Sequence, residues 1–327
     1  MKTYFYLLWL LLAVQTAWGQ TAWVNRQRAF PREIAPGNYS GIAWIGGDRY
    51  AVVNDKAEHN GFALMTITTD SLTGEIIAAR LDSVVASSGS GRDEEGICYV
   101  ANRNTVMVSG EADGQVVEYD LTGRLTGRRL AMPAVFGSAR RNRGLEALTY
   151  NARTGLFWTT TETTLEADGP EYSVDHLGGN RLRLQCFDED LMPREQFWYL
   201  TDTTSVRGRR GRSLIGVSGL AALDDGQLVV LEREVYIPRR KIGSFCHVKL
   251  YLVNPKGHEP GDTLLKRRLA EFRTKINLTN RSFANYEGIC VGPRLTDGST
   301  LLVLVSDSQN RYRRLLKDWL RTVRVVL

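Results

Sequence analysis

Short apolar runs bounded by turn residues recur along the chain, and five pairs of them share one pattern. A strand opening with a small residue leads through a turn into a second strand that ends near an acid. The copies are Gly41–Trp44 with Tyr50–Asp55, Gly96–Val100 with Thr105–Glu111, and Ala147–Tyr150 with Leu156–Glu162. Two more follow, Gly219–Leu223 with Leu228–Glu232 and Gly288–Val291 with Leu301–Asp307. Each pair continues into a run of period-two alternation, such as Gln115–Tyr119, Arg181–Cys186 and Val248–Leu252, which marks half-buried strands. More polar fourth strands follow at Glu75–Ala79, Arg128–Ala131 and Lys266–Ala270, and Asp-Gly turns at 113, 225 and 297 separate strands. Four strands per unit, buried first and wetter last, describe a blade running from an axis to a rim. The predicted fold is all-β, a single propeller of five or six four-stranded blades over residues 20–327. A sixth, degenerate blade has room in 165–215 or 256–285. Ring closure is expected where Trp23–Arg26 meets Thr322–Val326.

The repeat also gathers chemistry. Glu95, Glu146 and Glu287 directly precede first strands, while Asp55, Glu111, Glu162, Glu232 and Asp307 close second strands. In an antiparallel blade both sets face the same mouth of the ring, so up to eight carboxylates converge there. Cations or protons must offset their repulsion. Oxygen donors without His or Cys partners suit a hard cation, and Ca2+ is the expected one. The first and fourth units carry Ser40 and Ser218 where the others carry Glu, so such a site is not fully symmetric. Arg143, Arg233 and Lys56 lie beside the acids as candidate clamps for an anionic substrate.

Residues 1–19 read as a secretory signal peptide: Lys2, an apolar run from Tyr4 to Val14, and small residues at Ala17 and Gly19. The run is too short to span a bilayer comfortably, so an exported chain without stable membrane insertion is expected, periplasmic or extracellular and monomeric. Net charge is +6. Paired arginines such as Arg140-Arg141, Arg209-Arg210, Arg239-Arg240 and Arg313-Arg314 lie in loops without interleaved aromatics, which argues for a solvated surface rather than nucleic-acid binding. Of the four cysteines, Cys98 and Cys290 fall in strands expected to be buried as free thiols. Cys186 and Cys246 occupy similar places in neighbouring units, where a bridge is conceivable.

No Gly-x-Ser-x-Gly elbow, P-loop, His-Glu-x-x-His helix or dinucleotide fingerprint is present. The segments Arg92–Cys98, Asn142–Leu148, Val230–Glu234, and Asn285–Cys290 with Val305–Ser308 together resemble the phytase-like propeller family, the "esterase-like activity of phytase" group. That resemblance covers about residues 38–325. It implies an exported propeller with an acidic site and a phosphoester or ester hydrolase activity. On this reading Glu146, Glu95 and Glu287 are the catalytic candidates, and a small anionic molecule is the substrate. A Ca2+-dependent lactonase-like hydrolase, or a non-catalytic propeller that binds a ligand at its mouth, are the competing expectations.

Overall fold

The computed structural model describes residues 21–172, 178–207, 210–277, 281–309 and 316–327, so the expected signal peptide lies outside the described residues. Five four-stranded antiparallel units form a ring, which places the blade number at the lower of the two expected values. Blade 1 comprises β3 (Tyr39–Gly46), β4 (Arg49–Asn54), β5 (Gly61–Thr69) and β6 (Ile76–Ala86). Blade 2 comprises β7 (Glu94–Val100), β8 (Thr105–Gly110), β9 (Gln115–Asp120) and β10 (Leu125–Arg129). Blade 3 comprises β11 (Leu145–Asn151), β12 (Leu156–Thr161), β13 (Arg181–Phe187) and β14 (Pro193–Leu200). Blade 4 comprises β15 (Gly211–Ala222), β16 (Leu228–Pro238), β17 (Phe245–Val253) and β18 (Lys266–Lys275). The stretch 165–215 is thus spent on the outer strands of blade 3 and the start of β15, and 256–285 on β18 and its loops. Among the described residues neither holds a sixth blade.

Blade 5 closes the ring with both ends of the chain. Its strands are β19 (Asn285–Val291), β20 (Thr300–Asp307) and β21 (Trp319–Val326), and its fourth is β1 (Thr21–Val24). Trp23 pairs with Arg324 and Val24 with Val323. The short β2 (Arg28–Ala29) prolongs the same edge against Leu320 and Trp319. An edge that would otherwise stand open is therefore paired over most of its length.

The core is not at the axis. Five apolar clusters lie one at each blade–blade junction. Blades 1 and 2 share Val53, Ile97 and Val108, blades 2 and 3 share Met107, Leu148 and Phe157, and blades 4 and 5 share Leu231, Ile289 and Leu304. Second strands such as Leu228–Leu231 are apolar on both faces because each face meets a neighbouring blade. All four cysteines are buried within these layers as free thiols, so the conceivable Cys186–Cys246 bridge is not formed.

Innermost strands approach so closely that a side chain is excluded at the repeated small residue. A Cβ on Gly41 would stand 2.2 Å from the Glu95 carbonyl oxygen, and one on Gly288 2.9 Å from that of Ser40. This is the physical reason four of the five units open on Gly, Ala147 of blade 3 being the exception.

Candidate functional site

Each innermost strand carries a β-bulge at the same place in the repeat. Register shifts occur between Tyr39 and Gly41, Glu94 and Ile97, Leu145 and Ala147, Val217 and Gly219, and Tyr286 and Gly288. The unpaired residues so created include Ser40, Glu95, Glu146, Ser218 and Glu287. A bulge re-aims a side chain out of the normal alternation, and here it does so in all five blades. The two serines serve the scaffold. Ser40 Oγ donates to the carbonyls of Glu94 (3.1 Å) and Glu95 (3.2 Å), and Ser218 Oγ donates to that of Tyr286 (3.1 Å), each across a blade junction.

The bulges also give the register for second strands. Two residues before each bulged position lie Asn38, Asp93, Gly144, Gly216 and Asn285. Opposite them are Asp55, Glu111, Glu162, Arg233 and Asp307. The acid of the fourth unit is therefore replaced by a guanidinium, and Glu232 is displaced by one position. Because strand side chains alternate, a one-residue slip sends Glu232 to the other face. It accepts there from Tyr199 Oη (2.9 Å), the Asp202 amide (2.9 Å) and Lys266 Nζ (2.8 Å), and does not line the mouth. Its expected role as a metal ligand is corrected accordingly.

The remaining seven acids line one well of about 820 Å³: Asp55, Glu95, Glu111, Glu146, Glu162, Glu287 and Asp307. Arg233, only 3% exposed, reaches into it. Its Nη1 pairs with Glu287 and donates to Asn285 Oδ1 (2.7 Å), while Nη2 contacts Glu162 (2.6 Å) and Glu146 (3.3 Å). A residue expected to clamp substrate is thus already committed to three carboxylates. Arg143 and Lys56 stand at the rim, Arg143 against Glu162 (3.1 Å) and Lys56 against Asp55 (3.0 Å) and Asp93 (2.7 Å). Arg92 faces away, paired with Asp113 and Glu94.

On the opposite side of the well the one counter-charge among the described residues, Lys56, is half-exposed at the rim and pairs with Asp55 and Asp93. Glu95 is 6% exposed, and its carboxylate has no hydrogen-bond or ion-pair partner among the described residues. Oδ1 of Asp55 is buried and likewise without a hydrogen bond. Burial, reinforced by Glu146 and Glu287, pushes the Glu95 carboxyl well above the usual range. Glu146 is raised by burial and by Glu162, with Arg233 opposing. Burial carries Glu287 up to about 7 even though Arg233 pulls it down. Asp307 is raised by burial and by Glu287, and Asp55 and Glu111 are raised mainly by burial. Burial works against the Lys56 charge, but hydrogen bonds to Asp93 and Asp55 raise its pKa.

Among the described residues, no three His, Cys, Asp or Glu side chains are grouped closely enough to hold an ion as they stand. The donor chemistry still suits a hard cation on the Glu95 side, where every donor is oxygen and two carboxylates have unpartnered oxygens. Sequence reasoning did not find the amides around the well, Asn38, Asn54, Asn142, Asn285 and Gln309. Asn38 and Asn285 share one place in the repeat, two residues before the bulged Ser40 and Glu287, and that shared position was the available signal.

The profile of a family described as phytase-like, esterase-like activity of phytase, matches residues 34–309. A search of curated proteins finds no match. Among solved structures, an endo-arabinase from Bacteroides thetaiotaomicron VPI-5482 is similar at 9% identity and TM-score 0.51, covering 91% of this chain and 97% of that one. A structure titled streptogramin B lyase aligns at 13% identity and TM-score 0.41, covering 92% and 98%. At such identities these likenesses concern the fold alone.

Proposed function

The chain belongs to the phytase-like family, and from that premise we propose that it is an exported hydrolase of phosphoester or related ester bonds, acting at the acidic well on a small anionic substrate. The observation that carries the reading is the asymmetry of the well: three carboxylates clamped by a buried arginine beside others left unpartnered and protonated more readily than usual. Glu146, oriented by Arg233, takes the proton of the attacking water. Glu95, holding a proton at its raised pKa, delivers it to the departing oxygen. Arg143 and Lys56 at the rim hold the anionic oxygens and stabilise charge developing on them. Where a hard cation such as Ca2+ takes the place of that proton, Glu95, Asp55 and Asp307, drawn together from their present spacing, would hold it, and it would supply polarisation of the phosphoryl oxygen.

The test is a panel of phosphomonoesters, phosphodiesters, carboxylic esters and lactones, with and without Ca2+. Hydrolysis of a phosphoester, reduced at least about tenfold in Glu146→Gln, supports the reading, since general-base catalysis contributes about 10² to 10⁴. Arg143→Ala is expected chiefly to raise KM for anionic substrates. Activity confined to lactones would favour the lactonase-like alternative, and activity on none of the panel would leave a ligand-binding propeller.

A further inference from the structure

Strands β15 and β16, at 12 and 11 residues, run on beyond their bulge, with Gly211–Val217 paired to Glu232–Pro238. This ribbon stands on the side of the ring where the acids converge and forms a wall of a second cavity, about 1310 Å³, that shares Asn285, Asp307 and Gln309 with the well. Arginines that appear scattered in the sequence meet there: Arg207, Arg210, Arg212, Arg239, Arg240 and Arg281. None of the six has an ion pair among the described residues, and Asp307 is the one carboxylate on the described lining. Elsewhere arginines such as Arg92, Arg103, Arg183 and Arg294 are each paired with an acid. Uncompensated guanidinium groups around a concavity raise the local concentration of anions and offer forks for phosphate oxygens.

The walls between these cations are apolar. Val206, Val235, Ile237, Ile276, Phe283 and Leu316 face the cavity, and Ile242 beside it is 55% exposed. A fully hydrated polyanion gains nothing from such walls, whereas a ligand with an apolar body and a charged head satisfies walls and rim together.

We infer that this vestibule binds a phosphorylated amphiphile, an acyl- or isoprenoid-type chain joined to a phosphate group, and presents the phosphoester to the neighbouring well. The inference rests on the hydrolytic reading of that well. It also explains why blade 4 alone extends its inner hairpin.

The experiment is calorimetric titration of the purified full chain with three probes: dodecyl phosphate below its micelle concentration, inorganic tripolyphosphate, and dodecyl maltoside. Dodecyl phosphate is expected to bind at least about tenfold more tightly than either of the others. Replacing the exposed pair, Arg239→Ser with Arg240→Ser, should weaken it about tenfold or more. Ile242→Ser should weaken dodecyl phosphate several-fold and leave tripolyphosphate unchanged. Tripolyphosphate binding as tightly as dodecyl phosphate, or alkyl phosphate binding indifferent to the arginine pair, overturns the inference. Failure here is separable from failure of the hydrolytic reading. If no ester is hydrolysed yet dodecyl phosphate binds as described, the vestibule stands and the catalytic assignment falls. If esters are hydrolysed but the alkyl chain adds nothing, only the vestibule falls.

Discussion

The two sides of the acidic well differ in how their charge is settled. On the side of blades 3 to 5, Glu146, Glu162 and Glu287 share one buried guanidinium through its two terminal nitrogens, so each of these acids has a cationic partner. On the side of blades 1 and 2, the Glu95 carboxylate opens onto the well without a partner, and one oxygen of Asp55 is buried without one. The same repeat produced both. A single exchange, arginine for the acid of the fourth unit, turned half of a carboxylate ring into scaffold and left the other half in want of a proton or a cation. Protein interiors tolerate an unpaired buried charge poorly, so the unpartnered half is where function is to be sought.

Breaking the completed side should have the largest effect. Arg233→Met removes the shared cation and leaves three buried carboxylates opposed. A loss of about 3–5 kcal/mol is expected, as for one partner removed from a buried ion pair. Denaturant unfolding checks this, and a midpoint equal to that of the parent would mean the guanidinium is not structural. Arg233→Lys should recover only part of the loss, because a point charge cannot hold three carboxylates in fork geometry.

Acid–base behaviour sharpens the comparison next. Carboxyls raised in the folded state, Glu287 to about 7 and Glu95, Glu146 and Asp307 in the same direction, keep protons that the unfolded chain has already released. Stability should therefore be fully present below the unfolded carboxyl range and decline as pH rises from about 4.5 towards 7. Asp202 acts oppositely. Burial works against its charge, but bonds from Lys249 and Lys266 depress its pKa, so its contribution is lost only under more acidic conditions. Melting temperatures in chelator should be several degrees lower at pH 7.5 than at pH 5.5. A flat or rising profile would show that the raised carboxyls are compensated.

A smaller effect is expected outside the well. Glu232→Gln disturbs the Tyr199, Asp202 and Lys266 contacts between blades 3 and 4, at a cost of about 1–2 kcal/mol. It should leave turnover at the parent value. Reduced turnover with unchanged stability would put Glu232 back among the site acids.

How much of this was legible in the sequence follows from what a repeat records. Blade order, four strands per blade, closure by Trp23–Val24 and the gathering of the acids all follow from alternation and spacing. The register at Glu232 does not, because Leu231-Glu232 imitates the strand-closing acids and only the bulge at Ser218 shows that Arg233 takes their place. Blade count stayed open because the long loops of blades 3 and 4 have the length of a further unit. Arg207, Arg210, Arg212, Arg239 and Arg240 look like a solvated surface in the sequence, since nothing local reveals that an extended hairpin brings them towards Arg281 around one cavity. Arg209, Arg313 and Arg314 lie outside the described residues.

The claim that the unpartnered side is the working side rests most directly on the turnover of Glu95→Gln, with its melting temperature read on the same sample. Glutamine keeps the shape and removes a charge that burial and its acidic neighbours disfavour. The account predicts a protein that melts at or above the parent temperature and hydrolyses its best phosphoester at least about tenfold more slowly. A variant that melts lower and turns over as fast as the parent would show that Glu95 is scaffold and that the working site lies elsewhere.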